Sequence, residues 1–197
     1  LAACERHGLI GLALYDSGSR NFYNTRHAIE APSDLHGLKL RVPQSDIFIE
    51  SVEALGASPT PLAYNAVFSS LSTHLIDGAE NNWPSYYTSR HFEIAPYWSE
   101  SEHSYAPDML LMSKRAADAL PARQRDFLIA AARSSLPLMR ARWDELVEKA
   151  RRAVVDAGVK TFAVDRPAFR KAVQPMLDRH LRDAETKRLH DLLRDSA

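Results

Sequence analysis

The sequence lacks several features that mark specialised classes of protein. It contains one cysteine among 197 residues, Cys4, so it can form neither an internal disulfide nor a zinc site built from cysteines. Its 25 Lys and Arg residues balance 25 Asp and Glu residues, so no net positive field would attract nucleic acid. No run approaches the ~20 consecutive apolar residues of a membrane-spanning helix. We therefore expect neither nucleic-acid binding nor direct insertion into a membrane.

Motifs for catalysis and cofactor binding are also missing. The sequence contains no GxSxG, HExxH, GxGxxG or Walker-type loop, and its eight histidines are scattered without metal-ligand spacing. We therefore expect a protein that is not an enzyme and that holds no cofactor. One alternative is a hydrolase or isomerase in which Glu80 and His103 act as an acid and base pair.

The chain instead alternates short apolar strands with helices. Bounded apolar runs predict strands at 9–15, 21–26, 38–42, 78–82 and 158–162. Caps and apolar periodicity predict helices after Ser45 and Asn65, and further helices at 115–156, 166–183 and 185–195. Pro137 is expected to kink or restart the longest of these. Strands joined by crossover helices are typical of an α/β layer with a largely parallel sheet.

One segment, DLHGLKLRVP at 34–43, suggests the capture of a carboxylate. It places Arg41 near the end of a short apolar strand, where Pro43 stops strand pairing and the guanidinium can face a cleft. A planar fork of N–H donors suits a carboxylate. A surface ion pair is the ordinary alternative for an isolated arginine. A second segment, DGAENN at 77–82, reads as the next short strand.

These segments, with GSR at 18–20 and LGASPTP at 55–61, follow the order seen in a known family. From about residue 8 to about residue 162, the sequence resembles the extracytoplasmic solute-binding subunits of tripartite ATP-independent periplasmic (TRAP) transporters, of the DctP type. These proteins serve importers of organic acids. The resemblance implies a type II periplasmic-binding-protein clamshell, in which hinge strands join two α/β domains and a long helix lies across both.

The resemblance also implies a division of this chain. Segments 18–104 and 147–197 would form the second, ligand-binding domain. Segments 1–17 and 105–146 would supply hinge strands, with the extended run at 103–113 among them, and part of the first domain. Members of the family are usually about half as long again, so we expect the rest of the first domain to be absent from this sequence. Such a fragment would expose apolar surface, which makes a homodimer a reasonable hypothesis.

Three residues match ligand-binding positions of the family most directly. In members of the family, the arginine at the position that corresponds to Arg41 forms a bidentate salt bridge with the ligand carboxylate. Arg20 matches a position that reaches toward the ligand or the point of domain closure, although a structural salt bridge is an equal alternative. Asn81 matches the position whose amide touches the ligand, and Asn82 would replace it if the register shifted by one residue.

Four further residues could support or line the site. Tyr64 and Trp83 could place aromatic faces beside a sugar-like ring, or could simply pack in the core. Glu80 is expected to orient an arginine, because it would repel an anionic ligand. His103, in the presumed hinge strand, could bond a ligand hydroxyl or a structural partner.

The resemblance therefore predicts a periplasmic protein that captures a small organic acid. A sugar acid such as a uronate is favoured, with a C4-dicarboxylate next. The protein would deliver the acid to the small and large membrane subunits of a TRAP permease. Some members of the family bind their acid with a cation, but no spacing in this sequence marks a metal site. The alternative is a ligand-sensing domain of a signalling or regulatory protein with the same fold.

Overall fold

The computed structural model describes residues 1–105 and 107–194, apart from the side chains of residues 2 and 3. Position 106 and residues 195–197, which include the predicted end of the last helix at Asp195, lie outside the described residues. The strands are β1 Leu9–Tyr15, β2 Ser19–Asn24, β3 Lys39–Val42, β4 Ser58–Pro61, β5 Gly78–Asn81, β6 Tyr97–Tyr105, β7 Asp108–Ser113 and β8 Lys160–Ala163. The helices are α1 Asp46–Ala54, α2 Val67–Ser72, α3 Trp83–Thr88, α4 Lys114–Asp118, α5 Ala122–Ser134, α6 Leu136–Asp156, α7 Arg166–His180 and α8 Ala184–Arg194.

The main sheet has six strands in the order β4-β3-β5-β2-β6-β8. Strand β3 is parallel to β4 and β5, and β6 is parallel to β8, as a largely parallel sheet requires. Strand β2 is antiparallel to both of its neighbours and is the exception in this sheet. The loop from β2 to β3 contains one 3-10 turn, Pro32–Leu35, and no helix. A long crossover is required only between parallel neighbouring strands. The loop from β2 to β3 therefore does not by itself determine the direction of β2.

The extended run predicted at 103–113 is divided between two sheets. His103 lies in β6 of the main sheet, whereas β7 pairs with β1 in a separate two-stranded antiparallel sheet. The strand predicted at 21–26 ends earlier, at Asn24, because the Asn24 carboxamide oxygen accepts from the backbone N–H groups of Arg26 and His27 and turns the chain.

Two of the helix predictions depended on one residue each, a proline at the start of α6 and an asparagine before α2. Helix α6 starts afresh at Leu136 with Pro137 in its first turn, as predicted, since proline lacks the N–H that a helix interior needs. Asn65 does not cap a helix: it lies in a 3-10 turn, Tyr64–Ala66, and α2 begins after it without a side-chain cap. Among the described residues, no helix has the length and apolar character needed to cross a membrane.

Two hydrophobic clusters cover the two faces of the main sheet. Neighbouring residues of a strand point to opposite faces, so Tyr23 belongs to the first cluster and Phe22 to the second. The close approach of β2 and β5 requires glycine at position 78, where a Cβ would overlap the carbonyl oxygen of Tyr23. The first cluster also contains Val67, Leu71, Ile76, Ala79, Trp83, Tyr86, Trp98 and Val154, and the second contains Leu35, Leu40, Val42, Val52 and Phe169.

Candidate functional site

The predicted site residues gather where the parallel strands β3 and β5 end, which is where open α/β sheets bind ligands. Arg41 is opposite Ala79 of the first cluster, whereas Glu80 is opposite Phe22 of the second. Side chains that are opposite each other in a ladder share one face of the sheet. Arg41 and Asn81 therefore lie on the first-cluster face, and Glu80 lies on the other.

Arg41 is a buried cation without an acidic partner. The residue is 5% exposed, and its Nε donates to the carbonyl oxygen of Leu62 at 2.9 Å. No Asp or Glu oxygen of the described residues lies within ion-pair distance of it. Burial lowers the pKa of Arg41 from its ordinary value, and the negative charge of Glu80 opposes that shift. The group still stays protonated, as arginines do in proteins, so its positive charge is available to an anion.

Tyr64 lies beside this cation and presents an aromatic surface. The residue is 44% exposed, and its ring centroid is 5.9 Å from the Arg41 guanidinium carbon. Its hydroxyl lies 3.3 Å from the carbonyl oxygen of Ser85 and also contacts the Ser89 hydroxyl. These contacts tether the end of the ring to α3, while one ring face stays near Arg41.

On the other face of the sheet, Arg20 and Glu80 form a bidentate ion pair. Arg20 Nε is 2.5 Å from Glu80 Oε2 and Nη2 is 2.8 Å from Oε1, and the Glu80 side chain has no exposed surface. Burial is the largest single effect and would raise the pKa of Glu80, but the hydrogen bonds and the nearby positive charge, chiefly those of Arg20, together outweigh it, so the pKa is lowered. For Arg20, burial is the largest single effect and lowers the pKa, but the hydrogen bonds to Glu80 and its negative charge, with smaller contributions from other groups, together raise it.

His103 lies beside this ion pair. Its Nδ1 is 2.8 Å from the Ser101 hydroxyl, and its ring stacks on Phe22 with the centroids 4.1 Å apart. Its Nε2 lies 3.6 Å from Glu80 Oε2, which is too far for a hydrogen bond. Because the Glu80 carboxylate is fully buried against Arg20, this geometry argues against the alternative in which Glu80 and His103 act on a substrate as acid and base.

The three residues after Glu80 have different surroundings. Asn81 is 5% exposed, and its Oδ1 accepts from the backbone N–H of Asn82 at 2.9 Å. The Asn82 carboxamide is occupied by the backbone: Oδ1 caps α3 at Ser85 N, and Nδ2 donates to the Ser17 carbonyl at 2.7 Å. Trp83 is 8% exposed and stacks on Trp98 at 3.9 Å. Packing in the core therefore describes Trp83 better than lining a cleft.

The structure also brings in residues that the sequence did not indicate. His91 and Tyr23 lie buried beside Arg41 and Tyr64. His91 belongs to no motif, and Tyr23 resembles any other aromatic residue of a buried strand. The described residues contain no group of three or more His, Cys, Asp or Glu side chains arranged to hold a metal ion.

A cavity of about 420 Å³ lies on the second-cluster face between α1, α7 and the end of β6. Of the predicted site residues, it is lined by His103 alone and not by Arg41 or Asn81. Its remaining lining is mainly apolar and includes Phe48, Val52, Leu55, Phe169 and Val173. This cavity is thus separate from the cation of Arg41.

A buried cation at the carboxyl ends of parallel strands is a position that suits a small anion. The chain belongs to the DctP family of bacterial extracellular solute-binding proteins, family 7, whose model matches residues 1–183. This confirms the resemblance to the TRAP solute-binding subunits.

Solved structures of similar proteins agree on the fold. The chain is 45% identical to a TRAP periplasmic solute-binding protein from Xanthobacter autotrophicus with bound β-D-galacturonate, with a TM-score of 0.91 over 95% of this chain and 62% of that one. It is 37% identical to one from Chromohalobacter salexigens with bound D-glucuronate, with a TM-score of 0.96 over 100% of this chain and 66% of the other. The predicted type II periplasmic-binding fold is therefore confirmed.

A relative of known specificity comes from Escherichia coli. Its 2,3-diketo-L-gulonate-binding periplasmic protein is 30% identical over 173 residues, which are 87% of this chain and 53% of that protein. The chain thus spans about half the length of the curated relatives that it matches.

Proposed function

We propose that this chain belongs to a periplasmic receptor that captures a sugar acid, with a uronate favoured, and delivers it to the small and large subunits of a TRAP permease. The observation that carries the proposal is the buried, acid-free cation of Arg41. A carboxylate is the partner that this charge lacks, and its two oxygens match the fork of the guanidinium. The bound galacturonate and glucuronate of the similar structures support a uronate, and the diketogulonate-binding relative supports sugar acids more broadly.

The other site residues take complementary roles in this proposal. The Asn81 carboxamide bonds the ligand beside Arg41, and Tyr64 packs its ring against the sugar. Arg20, held by Glu80 and adjacent to His103, orients the ligand from the other face of the sheet or responds to domain closure. Asn82 and Trp83 hold α3 in place and do not contact the ligand.

Closure between two domains would couple capture to delivery. In this proposal segments 18–104 and 147–197 form one domain, whereas 1–17 and 105–146 are hinge strands and part of the other. The acid shifts the open and closed populations only through its higher affinity for the closed form. The permease would recognise that form. No covalent chemistry is involved, so the protein is proposed not to be an enzyme. A sensing role has no observation in its favour.

The experiment compares ligands that differ only at the carboxylate. Calorimetry on the natural full-length protein would titrate D-galacturonate, its methyl ester and D-galactose, with D-glucuronate and succinate in parallel. We expect binding of the free uronates and at least a 30-fold loss for the ester and the neutral sugar, because removal of a buried charge partner costs about 2–5 kcal/mol. Equal affinity for ester and acid would refute the Arg41 anchor, and tighter binding of succinate would replace uronates with dicarboxylates as the substrate class.

Dimer formation by this chain of 197 residues is a separate proposal. Several large apolar side chains within segment 105–146 are exposed, namely Tyr105, Met109, Phe127 and Leu138 at 55–71% of their surface. Such a surface favours self-association. Sedimentation velocity should show a concentration-dependent dimer, whereas a monomer at high concentration would exclude it.

A further inference from the structure

Tyr23 and His91 form a buried polar pair that anchoring by Arg41 and Asn81 does not require. The Tyr23 hydroxyl lies 2.7 Å from His91 Nδ1, and both residues are 1% exposed. The rings of His91 and Tyr64 meet at a steep angle of 61°, with the centroids 5.9 Å apart. Tyr64 in turn lies 5.9 Å from the Arg41 guanidinium carbon. A continuous series of contacts therefore runs from the core of the sheet to the cation.

The hydrogen bonding selects one tautomer of His91. His91 Nδ1 is the one acceptor that the Tyr23 hydroxyl has among the described residues. A buried hydroxyl proton without an acceptor would cost about 1–3 kcal/mol. The Tyr23 hydroxyl therefore donates, Nδ1 accepts, and the proton of the neutral imidazole sits on Nε2.

The groups around His91 keep it neutral. Arg41 of β3 supplies the nearby positive charge, and Tyr23 of β2 is a neutral phenol because burial raises its pKa. Helix α2 carries no titratable residue, and α3 contributes only tyrosines on the side of the turn at His91–Glu93. Arg90 and Glu93 in that turn pair with each other at the surface. Burial, followed by the charge of Arg41, lowers the pKa of His91 to about 4.

We propose that Tyr23 and His91 are positioning residues for ligand capture. Tyr23 fixes one tautomer of a neutral His91, and the contact between the His91 and Tyr64 rings holds Tyr64 against Arg41, so that the guanidinium fork is oriented for the carboxylate. The neutral ring adds no second cation beside Arg41. This inference rests on the proposed function, since it assigns a role in the same anion site.

The test uses a matched pair of hydroxyl deletions in one aromatic cluster. Tyr86 is also buried and donates its hydroxyl to the Ala95 carbonyl oxygen at 2.7 Å, but neither its hydroxyl nor its ring contacts Tyr64 or His91 in the described structure. Calorimetry with D-galacturonate on the natural full-length protein would compare Tyr23→Phe with Tyr86→Phe, and His91→Phe would serve as a second variant. Thermal unfolding of each would report the cost to the fold. Nitrogen-15 chemical shifts of the His91 ring would report the tautomer.

We expect Tyr23→Phe and His91→Phe to weaken uronate binding about tenfold, whereas Tyr86→Phe stays within about twofold of the wild type although it loses a comparable buried hydrogen bond. The wild-type His91 should show the Nε2–H pattern, and Tyr23→Phe should alter it. Equal affinities for the two tyrosine variants, or an Nδ1–H tautomer in the wild type, would overturn the inference. If the wild type bound no uronate, the proposed function itself would fail, which is a different result from wild-type binding with equal variants.

Discussion

Replacing Arg41 with methionine separates the role of this residue in binding from its role in folding. Methionine keeps an unbranched apolar stem of similar length but has neither the charge nor the fork of donors. Arg41 is 5% exposed, and within the described residues its one hydrogen bond to protein runs from Nε to the Leu62 carbonyl. The change therefore removes one hydrogen bond and the contact of the guanidinium with the Tyr64 ring, together with everything that the guanidinium offers to a ligand.

The expected loss of affinity follows from the burial of the charge. Removing one partner of a buried, hydrogen-bonded charge pair costs about 2–5 kcal/mol, which corresponds to about 30- to 5,000-fold in the dissociation constant. With uronate at about 100 times the wild-type dissociation constant, ligand binding should stabilise the wild type by about 2.7 kcal/mol. At the same ligand concentration the Arg41→Met variant should gain less than about 1 kcal/mol.

The unligated protein should change much less, because two effects of the substitution oppose each other. The Leu62 carbonyl loses a donor, which costs about 1–3 kcal/mol. The protein no longer buries a cation that lacks an acidic partner, which offsets that loss. We expect the two unligated unfolding free energies to agree within about 1 kcal/mol, or about 2–4 °C in Tm for a chain of this size.

Thermal unfolding with and without D-galacturonate measures both quantities in one assay. Arg179→Met is a suitable control, since the Arg179 side chain is 57% exposed and pairs with Glu50 at the surface. It should keep the full shift caused by the ligand. An Arg41→Met protein that is folded and binds the uronate within threefold of the wild type would refute the assignment of Arg41 as the anchor.

Three further predictions concern the buried polar residues. Glu80→Gln should lower the unfolding free energy at neutral pH by about 3–5 kcal/mol, because it leaves Arg20 buried without its carboxylate. The pKa of Glu80 is lowered from 4.5 in the folded state. Denaturant titrations should therefore show that the variant loses less stability below that pH than the wild type does. His91 has its folded pKa lowered from 6.5 to about 4, so wild-type stability should fall by about 3 kcal/mol as the pH drops through that window, and His91→Gln should remove this dependence. Asn82→Ala should cost about 1–3 kcal/mol in thermal unfolding through the lost cap of α3 and the lost bond to Ser17, and an unchanged Tm would contradict the Asn82 geometry.

Much of the secondary structure was predictable from local chemistry. The strand at Leu9–Tyr15 and the restart of α6 at Leu136 agree with the prediction, because apolar runs bounded by turn residues and a proline in a first turn act locally. The direction of β2 was not predictable. It depends on which distant strands lie beside it, and nothing within Ser19–Asn24 specifies that.

The candidate site shows the same limit at the level of side chains. The sequence motifs predicted that Arg41 and Asn81 lie at the ends of two strands, and in the structure these strands, β3 and β5, are neighbours. It could not show that the Asn82 carboxamide is occupied by two backbone groups or that Trp83 stacks on Trp98, because both depend on where α3 packs. No pattern in the sequence indicated His91, because a histidine in a turn becomes informative only when Tyr23 and Tyr64 are seen around it.

Arg20 and Arg41 lie on opposite faces of the sheet, and this arrangement explains how the unligated fold can bury the charge of Arg41. Arg20 repels the charge of Arg41, and Glu80 attracts it. If Glu80 were absent, the unligated fold would have to bury two uncompensated cations at one end of the sheet. If Glu80 paired with Arg41 instead of Arg20, the carboxylate would occupy the fork that the ligand needs. Placing Glu80 on the face of Arg20 neutralises one charge directly and leaves the fork of Arg41 open, which is the condition that the proposed capture of a carboxylate requires.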